Sequence, residues 1–355
     1  MSSLQLWLAI AGGLVLAAVV AHGAWTSRKN APLQAVPEEP NSLPPSRTPV
    51  GSNGPTEQID PALVLTDSEF SAPNFSIPPI ERKPLLDALI DVIAPIALDN
   101  LVSGDAVLMA MPATRRVGSK PFAIEGLSAA TQQWEMPHAG QRYSALQAGV
   151  QLANRSGALN DIEYSEFVIK TQTFADVVNG APEFPEMRDE VARARELDNF
   201  ASAHDAQLSF TVRARNAAWS PGYVQQHAAR LGFVAGSMPG RMVLSASMVG
   251  MPAVLTLSFD SQAALAEDPE QAAVREVSLA LDVAQVERGE QPFVRLRDAA
   301  NALAQAMDGA ITDDNGQLLA RDAMDLIGSE LESLYDTLEQ RDLAAGSALA
   351  RRLFS

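Results

Sequence analysis

Leu208-Ser209-Phe210-Thr211-Val212-Arg213-Ala214 reads as a strand with one buried face, because Leu208, Phe210, Val212 and Ala214 alternate with Ser209, Thr211 and Arg213. Just beyond it, Trp219-Ser220-Pro221 opens a helix, with Ser220 as N-cap and Pro221 at the first helical position, and Gly232 stops it. Three strands follow, over Met242–Met248, Val254–Phe259 and Val277–Val283. In the last, Val277, Leu279, Leu281 and Val283 alternate with Ser278, Ala280 and Asp282. A helix over Pro292–Met307 and a short edge segment over Ala310–Leu319 come next. The final helix, about Ala320–Gln340, carries one apolar stripe at Met324, Ile327, Leu331, Leu334 and Leu338. This order predicts an α+β unit, an antiparallel sheet with helices on one face.

The residues upstream carry the same plan more loosely. Strands are expected over Leu89–Ala97, Phe122–Leu127, Gln132–Met136 and Tyr143–Leu152, and helices over Gly104–Met111, Asp161–Val178 and Glu186–Ala203. The internal echo is clearest where Thr173-Phe174-Ala175-Asp176-Val177-Val178-Asn179-Gly180 parallels Ala304-Gln305-Ala306-Met307-Asp308-Gly309, each ending a helix with glycine. Two units, residues 85–204 and 205–342, related by tandem duplication, are the preferred reading. One continuous larger domain is the alternative. Residues 343–355 are set apart as a C-terminal tail.

Residues 28–84 differ from both units. About half of the chain's 23 prolines fall here, mixed with Ser, Asn, Thr and Glu. Such a stretch buries too little apolar surface to offset its ordering entropy, which predicts a disordered tether. At ~5–6 Å × √n, the roughly 54 residues from Ala31 to Pro84 span on the order of 40 Å. Leu63, Val64, Leu65, Phe70, Phe75 and Ile77 are apolar islands within it.

Residues 1–27 predict a transmembrane anchor. From Leu6 to Ala21, through Leu14 and Val20, every side chain is apolar or glycine, with Trp7 and Trp25 near the two ends. No lysine or arginine stands among Met1–Gln5, whereas Arg28 and Lys29 follow the segment at once. This topology signal puts the N-terminus outside and the body in the cytoplasm. A cleaved signal peptide, with a periplasmic body, is the rival reading.

The chain holds 26 Lys and Arg against 43 Asp and Glu, a formal charge of −17, and no cysteine. The acid excess argues against nucleic acid and anionic lipid as partners of the body. The absence of cysteine excludes disulfides and thiol catalysis. The basic pairs Arg82-Lys83, Arg115-Arg116 and Arg351-Arg352 read as solvated. His22, His138, His204 and His227 show no metal-ligand spacing, and neither a phosphate-cradling loop nor a G-x-S-x-G elbow occurs. The sequence therefore predicts no enzyme, no metal and no cofactor.

Two further stretches bear on function. Leu231-Gly232-Phe233-Val234-Ala235-Gly236-Ser237-Met238 resembles the helix-to-strand junction of the ZipA family of bacterial cell-division proteins. Asp308-Gly309-Ala310-Ile311-Thr312-Asp313-Asp314 resembles that family's stretch before the final helix. The likeness covers about Ala206–Gln340; the first unit matches in plan alone. It implies a single-pass inner-membrane protein at the division septum that needs no cofactor. Its C-terminal domain would bind the C-terminal tail of FtsZ across the sheet face left open by the helices, stabilising the division ring.

Carried over by position, the outward residues are Gln207, Ser209, Thr211, Arg213, Met238, Thr256, Ser258, Asp260, Ser278, Ala280 and Asp282. Thr211, Met238, Ser258 and Ala280 are the candidates for partner contact. The chain departs from the family at Asp260 and Ala280, where the family carries a methionine and a phenylalanine. Burying each such side chain is worth ~1.5–3 kcal/mol, out of about 8 kcal/mol for a micromolar complex. Leu89–Ile96, by contrast, is apolar on both faces, so Ile90 and Val92, with Trp134, are expected as an exposed groove in the first unit. Burial of these residues against the second unit is the alternative. A membrane-anchored scaffold module binding a different division or envelope protein is the second functional reading; a periplasmic hydrolase is a third.

Overall fold

The computed structural model describes residues 32–35, 85–268, 270–313 and 315–355. The anchor residues Leu6, Trp7, Leu14, Val20 and Trp25, the signal Arg28 and Lys29, and the islands Leu63–Leu65, Phe70, Phe75 and Ile77 lie outside them. So does most of the 28–84 segment. Among the described residues no helix is long and apolar enough to cross a membrane.

The body is a mixed α+β structure built on two antiparallel sheets. The first half runs β1 (Asp91–Ser103), α1 (Gly104–Ala110), β2 (Arg116–Val117), β3 (Lys120–Ser128), β4 (Trp134–Glu135) and β5 (Arg142–Gln151). A small ribbon follows, β6 (Ala153–Asn154) with β7 (Gly157–Ala158), then α2 (Asp161–Val177), β8 (Gly180–Pro182) and α3 (Met187–His204). The second half runs β9 (Gln207–Ala214), α4 (Pro221–Arg230), β10 (Val234–Ala235), β11 (Arg241–Leu244), β12 (Leu255–Ser258), α5 (Ser261–Ala264) and β13 (Glu276–Asp282). It closes with α6 (Pro292–Ala306), β14 (Gly309–Thr312), α7 (Arg321–Glu339) and α8 (Ala348–Leu353).

The two sheets share the order of four strands, β3-β5-β1-β8 in the first and β12-β13-β9-β14 in the second. The first is β2-β3-β5-β1-β8, with β4 also beside β3; the second is β10-β11-β12-β13-β9-β14. In each, the opening strand (β1 or β9) sits between the last long strand and a short one that follows a helix. The short strands enter alike. Asn179 and Asp308 take left-handed backbone angles, φ 52° at both, just before Gly180 and Gly309. Gly180 pairs with Leu98 and Gly309 with Ala214. A Cβ at Gly180 would lie 2.6 Å from Ile96 Cγ2, and one at Gly309 2.6 Å from Val212 Cγ1. The helix-ending echo in the sequence is thus one backbone device used twice.

One face of each sheet packs on helices. Phe122 of β3 meets Phe167 of α2 edge-on at 6.1 Å, and Phe210 of β9 meets Phe293 of α6 at 6.2 Å. On that side lie Val92, Ala94 and Ile96 in the first half, and Phe210, Val212, Leu257, Val277 and Leu279 in the second, all buried. Helix starts follow the expected chemistry. Ser220 Oγ accepts from Tyr223 N at 3.2 Å, and Asn160 with Glu163 forms a full capping box on α2.

Several expected elements end elsewhere. The strand expected to reach Met248 stops at Leu244, because Ser247 donates through N and Oγ to the Glu290 carboxylate, at 2.8 and 3.0 Å, which pulls the chain off the ladder. The edge segment expected to run to Leu319 pairs with β9 only through Thr312; Asp313 Oδ1 then accepts from Asn315 and Gln317 amides in a turn, and Leu318 returns to bridge Thr312. Residues 343–355 form α8 and its flanks, with Leu343, Ala350, Leu353 and Phe354 buried. Arg352 there is not a solvated cation: it pairs with Asp91, which is fully buried on β1.

Candidate functional site

Directly paired residues on an antiparallel sheet share a face, so the ladder of the second sheet fixes what its helix-free side presents. One row runs Val243, Thr256, Ala280, Ser209, and the next runs Arg241, Ser258, Ser278, Thr211. Alternation with the buried Leu255, Leu257, Val277, Leu279 and Phe210 aims these rows away from the helices. Ser209 Oγ and Ser278 Oγ share a hydrogen bond at 2.9 Å, and Arg213 pairs with Glu276 at 3.2 Å. Beyond Val243 and Arg241 on β11, the rows hold only small residues, mostly hydroxyl-bearing.

A groove of about 890 Å³ lies on this face. Its floor is Ser209, Thr256, Ser258 and Ala280; one wall is the Met238-Pro239-Gly240 turn, and Leu265 beyond α5 lines it too. Met238 is 52 % exposed and Leu265 68 %, the two large apolar side chains offered to solvent there. The turn is tightly placed. Gly236 N donates to Arg241 O at 2.8 Å, and Phe259 N to Gly240 O at 2.9 Å. Gly240 sits at φ +73°, where a Cβ would fall 2.6 Å from Phe259 O, so glycine is needed for both angle and space.

One end of the groove meets the first half. Asp282 lines the groove and accepts from Arg155 of the β6–β7 turn at 2.7 and 2.9 Å. The same guanidinium binds Asp205 at 2.6 and 2.8 Å. Hydrogen bonds from the two carboxylates push the Arg155 pKa above its ordinary value. The fork fixes the groove end to the β6–β7 ribbon.

The structure brings Met238, Ser258 and Ala280 together in this groove; Thr211 lies on the same face, beside Ser278 in the ladder. Asp260 is not on the face. It caps α5, accepting from Gln262 N at 2.8 Å. The first-half expectation needs correction: Ile90 and Val92 are fully buried and line no exposed groove. Val92 shares the helix-covered face with Ala94 and Ile96, because the odd-numbered residues of β1 take the other face. Trp134 is half-buried on that other face, in a ladder row with Leu127, Ala145, Ala97 and Ala181. Nearby, Leu86 covers Gly149, and the buried Glu125 accepts from Leu85 N, from Leu86 N at 3.1 Å and from Gln147 Nε2 at 2.8 Å.

Sequence reasoning missed Leu265 and Arg155. Leu265 follows a four-residue helix with no period to flag it. Arg155 stands alone between polar residues, and only the fold shows its two carboxylates.

Among the described residues no group of three or more His, Asp or Glu is placed to hold a metal ion. His204 stacks on Phe200 at 4.3 Å, His227 lies 4.4 Å from Tyr223, and His138 pairs with Glu135 at 3.2 Å, three separate packing roles.

No protein-family model and no curated protein matches the chain. Among solved structures, the berberine bridge enzyme from Eschscholzia californica aligns at 10 % identity and a TM-score of 0.17, over 73 % of this chain. The chain spans about half (51 %) of that enzyme, and a TM-score this low carries no argument about fold or function.

Proposed function

We propose that this chain is a membrane-anchored division adaptor resembling the ZipA family, with two sheet units that arose by tandem duplication. Its second unit captures the C-terminal tail of FtsZ and holds the division ring to the inner membrane. The observation that carries the reading is the groove on the helix-free face of the second sheet, where Met238, Ser258 and Ala280 converge. The shared four-strand order and the paired Asn179-Gly180 and Asp308-Gly309 entries support the duplication. An adaptor of this kind needs no cofactor and no catalytic step. Residues 1–27 serve as the anchor and the body stays cytoplasmic, so many weak tail contacts near the bilayer become avid.

The small polar rows Thr256-Ala280-Ser209 and Ser258-Ser278-Thr211 favour a second reading. A scaffold module of the same architecture would take a more polar segment of another division or envelope protein.

Titration of a fluorescent FtsZ C-terminal tail peptide with the full chain in lipid nanodiscs tests the first reading. Saturable micromolar binding, weakened at least tenfold by Met238→Asp, is expected. No binding at hundreds of micromolar would retire the tail as partner and leave the scaffold reading.

A further inference from the structure

Pro32 to Ala35 lie against the second unit. Leu33 N donates to Ala218 O at 2.7 Å, and Ser220 N donates to Leu33 O at 2.8 Å. Leu33 thereby forms a parallel bridge to Trp219, whose own N and O bond Val274 on the other side at 2.8 Å each. Ala35 Cβ lies within contact range of the space beside Gly222, at the start of α4. Ala218, Trp219 and Ser220 are 2 %, 0 % and 1 % exposed. The Ala218 carbonyl and Ser220 amide are thus buried backbone groups for which Leu33 is the partner, and unpaired buried groups of this kind are costly. Trp219 is itself anchored by its side chain: its Nε1 donates to Met307 O at 2.7 Å, and its ring packs against Gly309.

We infer that the 218–220 edge is a strand-addition site whose occupant is this chain's own segment 32–35, and that this strap sets the spacing between membrane and second unit. The spacing part rests on the proposed reading of residues 1–27 as the anchor. From Trp25 to Leu33 is eight residues, which at ~3.3–3.6 Å each reach about 28 Å at most. The second unit, with its groove, is then held within one short reach of the headgroups.

The absence of cysteine makes site-specific labelling clean. The full chain carries a donor dye on Gln225→Cys, an exposed α4 position, and is reconstituted in nanodiscs with acceptor-labelled lipid. Hydrogen exchange is read at Ser220, with Phe210 as an internal control. Leu33→Pro removes the donor to Ala218; Leu33→Ala keeps both backbone bonds. The expected result is at least tenfold faster Ser220 exchange in Leu33→Pro, little change in Leu33→Ala, unchanged Phe210 exchange, and a fall in energy transfer in Leu33→Pro alone. Unchanged Ser220 exchange in Leu33→Pro overturns the strap. Faster exchange with unchanged energy transfer overturns its spacing role. Faster exchange in a chain that does not enter nanodiscs retires the anchor reading and leaves the strap as a contact within the fold.

Discussion

Asp91 and Arg352, at opposite ends of the body's sequence, meet as a two-pronged pair: Asp91 Oδ1 lies 2.5 Å from Arg352 Nη2, and Oδ2 lies 2.9 Å from Nη1. Asp91 is fully buried, and the Arg352 side chain is 18 % exposed. Around the pair, Arg352 also reaches the Leu85 carbonyl, and its own carbonyl accepts from Gln151 Nε2 at 2.8 Å. On the other side of α8, Gln285 Nε2 donates to Phe354 O at 2.7 Å, so the last turn of the chain joins both sheets. Desolvation raises the Asp91 pKa, and Arg352 offsets only part of that rise.

Breaking this pair from one side strands a buried charge. Arg352→Ala is expected to cost about 3–5 kcal/mol, whereas the double variant Asp91→Leu with Arg352→Met recovers most of it, since an apolar replacement leaves no buried charge unpaired. Urea unfolding of the three proteins at neutral pH decides the matter. Equal loss in the single and double variants would mean that packing around α8, not the charge pair, holds the end of the chain.

The two glycines that open β8 and β14 should fail in the same way. A methyl at Gly180 meets Ile96, and a methyl at Gly309 meets Val212, each at 2.6 Å. Both neighbours are buried and have little room to move, so Gly180→Ala and Gly309→Ala are each expected to cost about 1–3 kcal/mol. Gly289→Ala, where a Cβ meets nothing within 4 Å, should stay within about 0.5 kcal/mol of the parent. Thermal unfolding of the three variants checks this. A neutral Gly309→Ala would show that β14 can shift outward freely.

Legibility followed the alternation of residue types. β9 and β13 declare their buried faces because serine, threonine and charged residues interleave with Phe210, Val212, Val277 and Leu279. β1 does not, since Ile90 to Ile96, Asp91 apart, is apolar at odd and even positions alike. Its outer face is settled by tertiary contacts, Leu86 over Gly149 opposite Ile93, and Arg352 from the far end of the chain on Asp91. The same distance hid α8: Ala344 to Ala350 carries no strong period, and an Arg-Arg pair reads as solvated until a buried carboxylate appears opposite. At the groove, strand residues such as Ser258 and Ala280 were readable from period two. Asp260, two residues past Ser258, was misplaced because nothing in the strand pattern marks where a short helix takes over its carboxylate as a cap.

Stability should also respond to His227. Burial, then the Arg230 charge, lowers its pKa from 6.5, so the folded state prefers the neutral imidazole. The unfolded chain then binds more protons between the folded pKa and about 6.5, and stability falls as pH drops through that window. His227→Phe, which keeps the ring beside Tyr223, should flatten this dependence while the other groups' contributions remain. Urea midpoints at pH 7.5 and 5.5 give the comparison. An identical difference in both proteins would remove His227 from the pH response.

The groove makes a prediction in the direction of gain. Ala280 lies half-buried on the floor between Thr256 and Ser209, and the proposed resemblance to the ZipA family implies a phenylalanine there. Ala280→Phe adds an aromatic ring to an open face, so it meets a bound segment without overpacking the core formed by Leu279 and Leu281 on the opposite side. If the occupant is an apolar tail, burying that ring contributes up to ~1.5–3 kcal/mol, an affinity gain of about 10- to 150-fold. Asp260→Met should bring no such gain, because Asp260 lies off the face, and it removes the cap that Gln262 N uses, at a cost of about 0.5–2 kcal/mol of stability. Fluorescence titration of the tail peptide against both variants tests the order. A loss of affinity in Ala280→Phe would mean that the natural occupant sits flat on a small-residue floor, as the polar rows of the scaffold reading require.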